Sequence, residues 1–112
     1  MSTAEAAAIA ANPDLQKALQ KALALAKKAA ADEAIAKDRA DAFQRALASG
    51  AYDGPTGIFV GRFARQVSQR ECMREDSRPV RSYAKIAKQS RQAATDAATG
   101  FVAALAASLA AK

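Results

Sequence analysis

Nine basic side chains crowd residues 62–91: Arg62, Arg65, Arg70, Arg74, Arg78, Arg81, Lys85, Lys88 and Arg91. Three carboxylates lie among them, so this segment carries +6, while residues 1–50 hold seven basic and six acidic side chains. Guanidinium groups offer planar, bidentate contacts to phosphates and carboxylates. On a helix, Arg81, Lys85, Lys88 and Arg91 follow steps of four, three and three, which places them within roughly a third of the circumference. Gln89, Ser90 and Gln92 add uncharged hydrogen-bonding groups nearby, and Tyr83 adds an aromatic ring. Such a stripe suits an anionic partner, either nucleic acid or an acidic protein surface. The bland alternative is a solvated helix face.

Other groupings point less clearly to chemistry. Glu71 and Glu75 are four residues apart, with Asp76 beside them. Such carboxylates can hold a hard cation or act as an acid/base pair. Arg70, Arg74 and Arg78 are interleaved with them, however, and intrahelical ion pairs account for the cluster. Cys72 has arginine neighbours that favour a thiolate, but Glu71 opposes them. The glycines of residues 54–62 resemble a phosphate cradle, yet the lysine and hydroxyl residue of a P-loop are missing. Residues 81–88 look like the first helix of a helix-turn-helix, but no turn follows before Gly100. The chain has no histidine, which removes the commonest general base and metal ligand. One cysteine without histidine excludes a structural zinc site and a Cys-His or Ser-His-Asp arrangement. No catalytic residue, metal or cofactor is expected, and the protein reads as a binding protein and not an enzyme.

The elements that must position these groups are dictated by alanine. Of 112 residues, 33 are alanine, and Leu, Ile, Val and Phe together number 19. Alanine has the highest helix propensity but buries little surface. Helices should form readily around a thin core, which oligomerisation or docking in an assembly can supplement. The single cysteine permits no internal disulfide and fits a reducing compartment. The first residues lack the basic and apolar regions of a secretory signal. The most apolar tract, residues 97–111, reads as too short and too alanine-rich for a membrane span.

Along the chain, residues 1–11 form a short leader, and residues 12–112 form one helical domain. Asn12-Pro13-Asp14 is a helix start, with Asn12 as the cap. The next glycine or proline is Gly50, so one helix is predicted over 13–49, roughly 55 Å long. Leu15, Leu19, Ala22, Ala26, Ala29, Ala36, Ala40, Phe43 and Leu47 recur at steps of three and four, with Glu33 as the interruption. This is a heptad seam that requires another helix, from this chain or a second copy. A loop follows over 50–57, opened by Gly50 in the left-handed conformation. Phe59, Phe63 and Val67 then predict a helix over 58–76, with a short strand as the alternative. Pro79 is placed in the first turn of a last helix over 80–110. Its apolar side is assigned to Ile86, Ala93, Ala97, Phe101, Ala104, Leu105 and Leu109.

The expected architecture is all-α, a helical hairpin or three-helix bundle of long Ala-rich helices, oligomeric or docked in an assembly. The expected role is self-association through the seam with the basic surface facing an anionic partner, for example as a phage or virion component. The alternatives are non-specific nucleic-acid binding, or a helical inhibitor or adaptor of a nucleic-acid-handling enzyme. The expected location is cytoplasmic, or inside a particle.

Overall fold

The computed structural model describes residues 1–50, 56–60, 63–67 and 69–111, with side chains described for 1–50 and 72–111. Its elements are α1 (Thr3–Ala11), α2 (Pro13–Ala48), β1 (Thr56–Val60), β2 (Phe63–Val67) and α3 (Gln69–Ala110). The fold is all-α, with the two long helices α2 and α3 paired as a helical hairpin. The chain divides into two compact units, one of Met1–Asp32 with Ala87–Lys112 and one of Glu33–Ile86.

Local hydrogen bonds set the helix ends. The Ser2 hydroxyl accepts from the Glu5 N–H at 3.2 Å and starts α1. Asn12 separates α1 from α2, and its Oδ1 accepts from the N–H groups of Asp14 at 3.0 Å and Leu15 at 3.4 Å. Gln16 reaches back from α2 and donates to the Ile9 and Ala10 carbonyls at 3.1 and 3.0 Å. The Ile9 carbonyl also accepts from the Asn12 N–H at 3.2 Å, so Gln16 adds a second donor there and supplies one to the Ala10 carbonyl at the helix end. Within α1, Ala8 and Ile9 are buried in the core. At the other end of α2, Gly50 takes a φ of 75°, the left-handed geometry that glycine adopts without strain.

In the first unit the seam of α2 is filled by α3 of the same chain. Leu15 clusters with Ala8, Ile9, Phe101 and Leu105, flanked by Ala18, Leu19 and Leu109. Further along α2, Ala22 and Ala29 are buried, as are Ala87 and Ala94 on α3. Ser90 Oγ donates to the half-buried Asp32 carboxylate at 2.5 Å. Residue numbers climb on α2 as they fall on α3, so the pair is antiparallel. In the second unit the same sense holds: the Arg39 guanidinium lies 5.3 Å from the centroid of the Tyr83 ring, and further along α2 Phe43 and Ala46 share a cleft with Glu75 and Pro79.

Three expectations are corrected. First, residues 58–60 and 63–67 are strands and not helix: β1 and β2 pair antiparallel, from Thr56↔Val67 to Val60↔Phe63. The four-residue recurrence of Phe59, Phe63 and Val67 spans two strands, and the branched and aromatic side chains of Thr56, Ile58, Phe59 and Val60 favour extended backbone. Most of the expected 50–57 loop lies outside the described residues. Second, α3 begins at Gln69 and runs through Pro79, which has no N–H to give the Glu75 carbonyl. The helix absorbs that single missing bond, so the end of the expected 58–76 helix, from Gln69 on, and the expected 80–110 helix are one continuous helix. Third, Ile86, Ala93 and Ala104 are exposed. The inward stripe of α3 runs instead through Val80, Tyr83, Ala87, Ser90, Ala94, Ala97, Phe101 and Leu105, all buried or half-buried.

Candidate anionic docking surface

The inward stripe fixes which side of α3 faces outward. At about 100° per residue, Arg74, Arg78, Arg81, Lys85 and Lys88 fall within a sector of roughly 80° on the side opposite the Tyr83–Ala94 stripe. All five are exposed, and so is Arg91, which lies closer to the stripe. The side chains of Arg62, Arg65 and Arg70 lie outside the described residues.

Few protein groups neutralise the sector. Arg78 meets Glu75 at 3.3 Å, with both side chains more than three-fifths exposed, so water screens that pair strongly. The Arg81 guanidinium donates to Ser77 Oγ at 2.9 Å, which orients it without cancelling its charge. Among the described residues, no carboxylate lies within ion-pairing distance of Lys85 or Lys88. The sector then changes character. Gln92 donates to Asp96 at 2.9 Å, and beyond that pair come Thr99, Ala103 and Ala106, with Val102 60% exposed.

The seam residues named from sequence form the opposite, inward surface. Leu15, Ala22 and Ala29 are buried, and Leu19, Ala26, Ala36, Ala40, Phe43 and Leu47 are half-buried, while Glu33 is exposed. Sequence reasoning treated Glu33 as the interruption and overlooked its neighbour, Asp32, which turns toward Ser90. The signal was the unbroken three-and-four spacing of Val80, Tyr83, Ala87, Ser90, Ala94 and Ala97, with one polar residue in it.

Other features were weighed as sites. In the second unit, Arg39, Phe43, Ala46, Glu75, Pro79 and Val80 are among the residues lining an open cleft of about 290 Å³. Cys72 is half-buried with a free thiol. Among the described residues, no three His, Cys, Asp or Glu side chains converge as metal ligands. Also among them, the helix Cys72–Ala110 is long and apolar enough to cross a membrane by length and composition, with 17% of its apolar window buried. No family model matches the chain, and no curated protein or solved structure matches it either.

Proposed function

We propose that this chain is a non-catalytic binding protein that presents the outward face of α3 to an anionic partner. The observation that carries the reading is the shared sector of Arg74, Arg78, Arg81, Lys85 and Lys88, all exposed and turned away from the helix pairing. Cations held on a preformed helix need no further ordering of backbone before they meet phosphates or carboxylates. The absence of histidine from the sequence argues against acid/base catalysis at neutral pH.

The test is retention on an immobilised polyanion. Replacing Arg81, Lys85, Lys88 and Arg91 together with glutamine is expected to lower the eluting salt concentration sharply, with helicity by circular dichroism unchanged. Unchanged elution would remove the basic face as the docking surface.

A second reading, assembly with further copies or a larger particle, is favoured by a separate observation. Leu23 and Val102 are 62% and 60% exposed, and exposed apolar side chains of this size suit burial by a partner. In the first unit the seam is already satisfied within one chain, so association must use these outward positions. Light scattering distinguishes the readings: assembly predicts a mass above one chain that Leu23→Ser with Val102→Ser reduces.

A further inference from the structure

Resting on the reading of α3 as an anionic docking surface, we propose that its partner is the phosphate backbone of a nucleic-acid duplex, bound without sequence preference. The cations occur at steps of four, three, four and three from Arg74 to Lys88, so successive charges on this one continuous helix are separated by a rise of ~4.5–6 Å. A duplex presents phosphates in regular rows beside a major groove about 12 Å wide, which admits an α-helix. Three of the five cations are arginine, the side chain whose fork matches phosphate oxygens. Gln89 and Gln92 border the file and add neutral groups of the kind that contact phosphates and sugars.

An acidic membrane surface offers phosphates too, but it fits this file less well. Helices that lie on membranes set a bulky apolar face beneath their basic residues. Here the inward side of that same stretch of α3 carries buried or half-buried Tyr83, Ala87 and Ser90, and the cationic sector itself contains no large apolar side chain. The exposed apolar side chains of α3 do not underlie the file: Met73 and Ile86, 38% and 46% exposed, sit about 100° or more to either side of its centre, and Val102 comes after its last cation.

The experiment measures binding of the full chain to a labelled 20-base-pair DNA duplex of arbitrary sequence, by fluorescence anisotropy across a salt series. Flotation with vesicles of neutral lipid, and of neutral lipid with phosphatidylserine, runs in parallel. With Arg78 partly engaged by Glu75, about four phosphates are neutralised, so affinity should fall about 150-fold between 50 and 200 mM salt. Lys85→Gln with Lys88→Gln should reduce the slope of log K against log salt by about 1.8, whereas Lys17→Gln with Lys21→Gln on α2 should leave it unchanged. Two scrambled duplexes should bind equally.

Duplex binding that is indifferent to salt, or unmoved by the Lys85/Lys88 change, overturns the inference. Flotation with acidic vesicles but no duplex binding also overturns it; if the Lys85/Lys88 change abolishes that flotation, the basic face survives as a docking surface for lipid. Binding to neither duplex nor acidic vesicles, together with unaltered polyanion retention in the four-residue variant, removes both the partner and the face.

Discussion

The two units of this chain are built from the same two long helices, yet they are packed differently. Every buried residue among those described falls in the unit of Met1–Asp32 and Ala87–Lys112. There the bulky residues Ile9, Leu15, Phe101 and Leu105 gather at one place, and alanines with one serine continue the pairing. In the unit of Glu33–Ile86, the described side chains on the pairing side reach half-burial at most, as with Phe43, Val80 and Tyr83. Alanine-rich helices can thus form a continuous pattern in sequence while concentrating their burial energy in one region. Exposed cations occur in both units, and those of the basic file lie on the side of α3 away from the pairing, which leaves the charged face free of any role in the core.

The most direct way to break this comparison is to remove one phenyl ring from each unit. Phe101 is 8% exposed within the main cluster, so Phe101→Ala should cost ~3–5 kcal/mol. Phe43 is half-buried, and Phe43→Ala should cost less than half as much. Urea denaturation followed by circular dichroism reads both. Equal losses would mean that the second unit is as tightly packed as the first.

The next largest effect comes from adding volume. Ala29 is completely buried, and leucine there should destabilise by ~1–3 kcal/mol through overpacking. Ala36, half-buried in the other unit, should accept leucine with little loss of melting temperature. An Ala29→Leu protein that melts like the wild type would show that the helices part there at no cost.

These same residues show how far the sequence could be read. The start of α2 was legible because Asn12, Pro13 and Asp14 each have a local reason to be there. So was its inward stripe, because Leu15, Leu19, Phe43 and Leu47 anchor the spacing at both ends. The α3 stripe was misassigned because its middle is Ala87, Ser90 and Ala94. Methyl-sized side chains carry little hydrophobic contrast, and the larger Ile86 drew the assignment to the wrong side. Nothing local to Ser90 announces its acceptor, because Asp32 is 58 residues away. The hairpin failed for a different reason: a four-residue recurrence arises in paired strands as well as in a helix, and strand propensity decided it. Spacing alone grouped Arg81, Lys85 and Lys88, but it set Arg91 with them and left Arg74 and Arg78 off that helix; the outward file required knowing that α3 runs through Pro79 and where its seam lies.

A smaller effect probes the polar layer of the first unit. Ser90→Ala removes the hydroxyl that reaches Asp32. Hydrogen bonds to charged groups contribute ~1.5–3 kcal/mol when well buried, but Asp32 keeps access to water, so a loss of about 1 kcal/mol is expected. Replacing both residues, Ser90→Ala with Asp32→Ala, should recover part of it, because no carboxylate is then left facing an apolar layer. If the double variant is less stable than the sum of the singles, the pair is not the coupled unit its geometry indicates.

The smallest effect bears on what holds the second unit. Arg39 lies over Tyr83 with its guanidinium 5.3 Å from the ring centroid, and a cation–π contact at an exposed site contributes ~0.5–1 kcal/mol. Arg39→Gln removes the cation and Tyr83→Leu removes the ring. The double-mutant cycle should then return a coupling within that range. Arginine also covers apolar surface with its stem, so each single substitution should cost more than the coupling itself. The coupling should weaken in high salt only slightly, since the ring is half-buried. A coupling well above 1.5 kcal/mol would make this contact comparable to a buried anchor. The contrast between a packed unit and a loosely held one would then give way to two units stabilised by different chemistry.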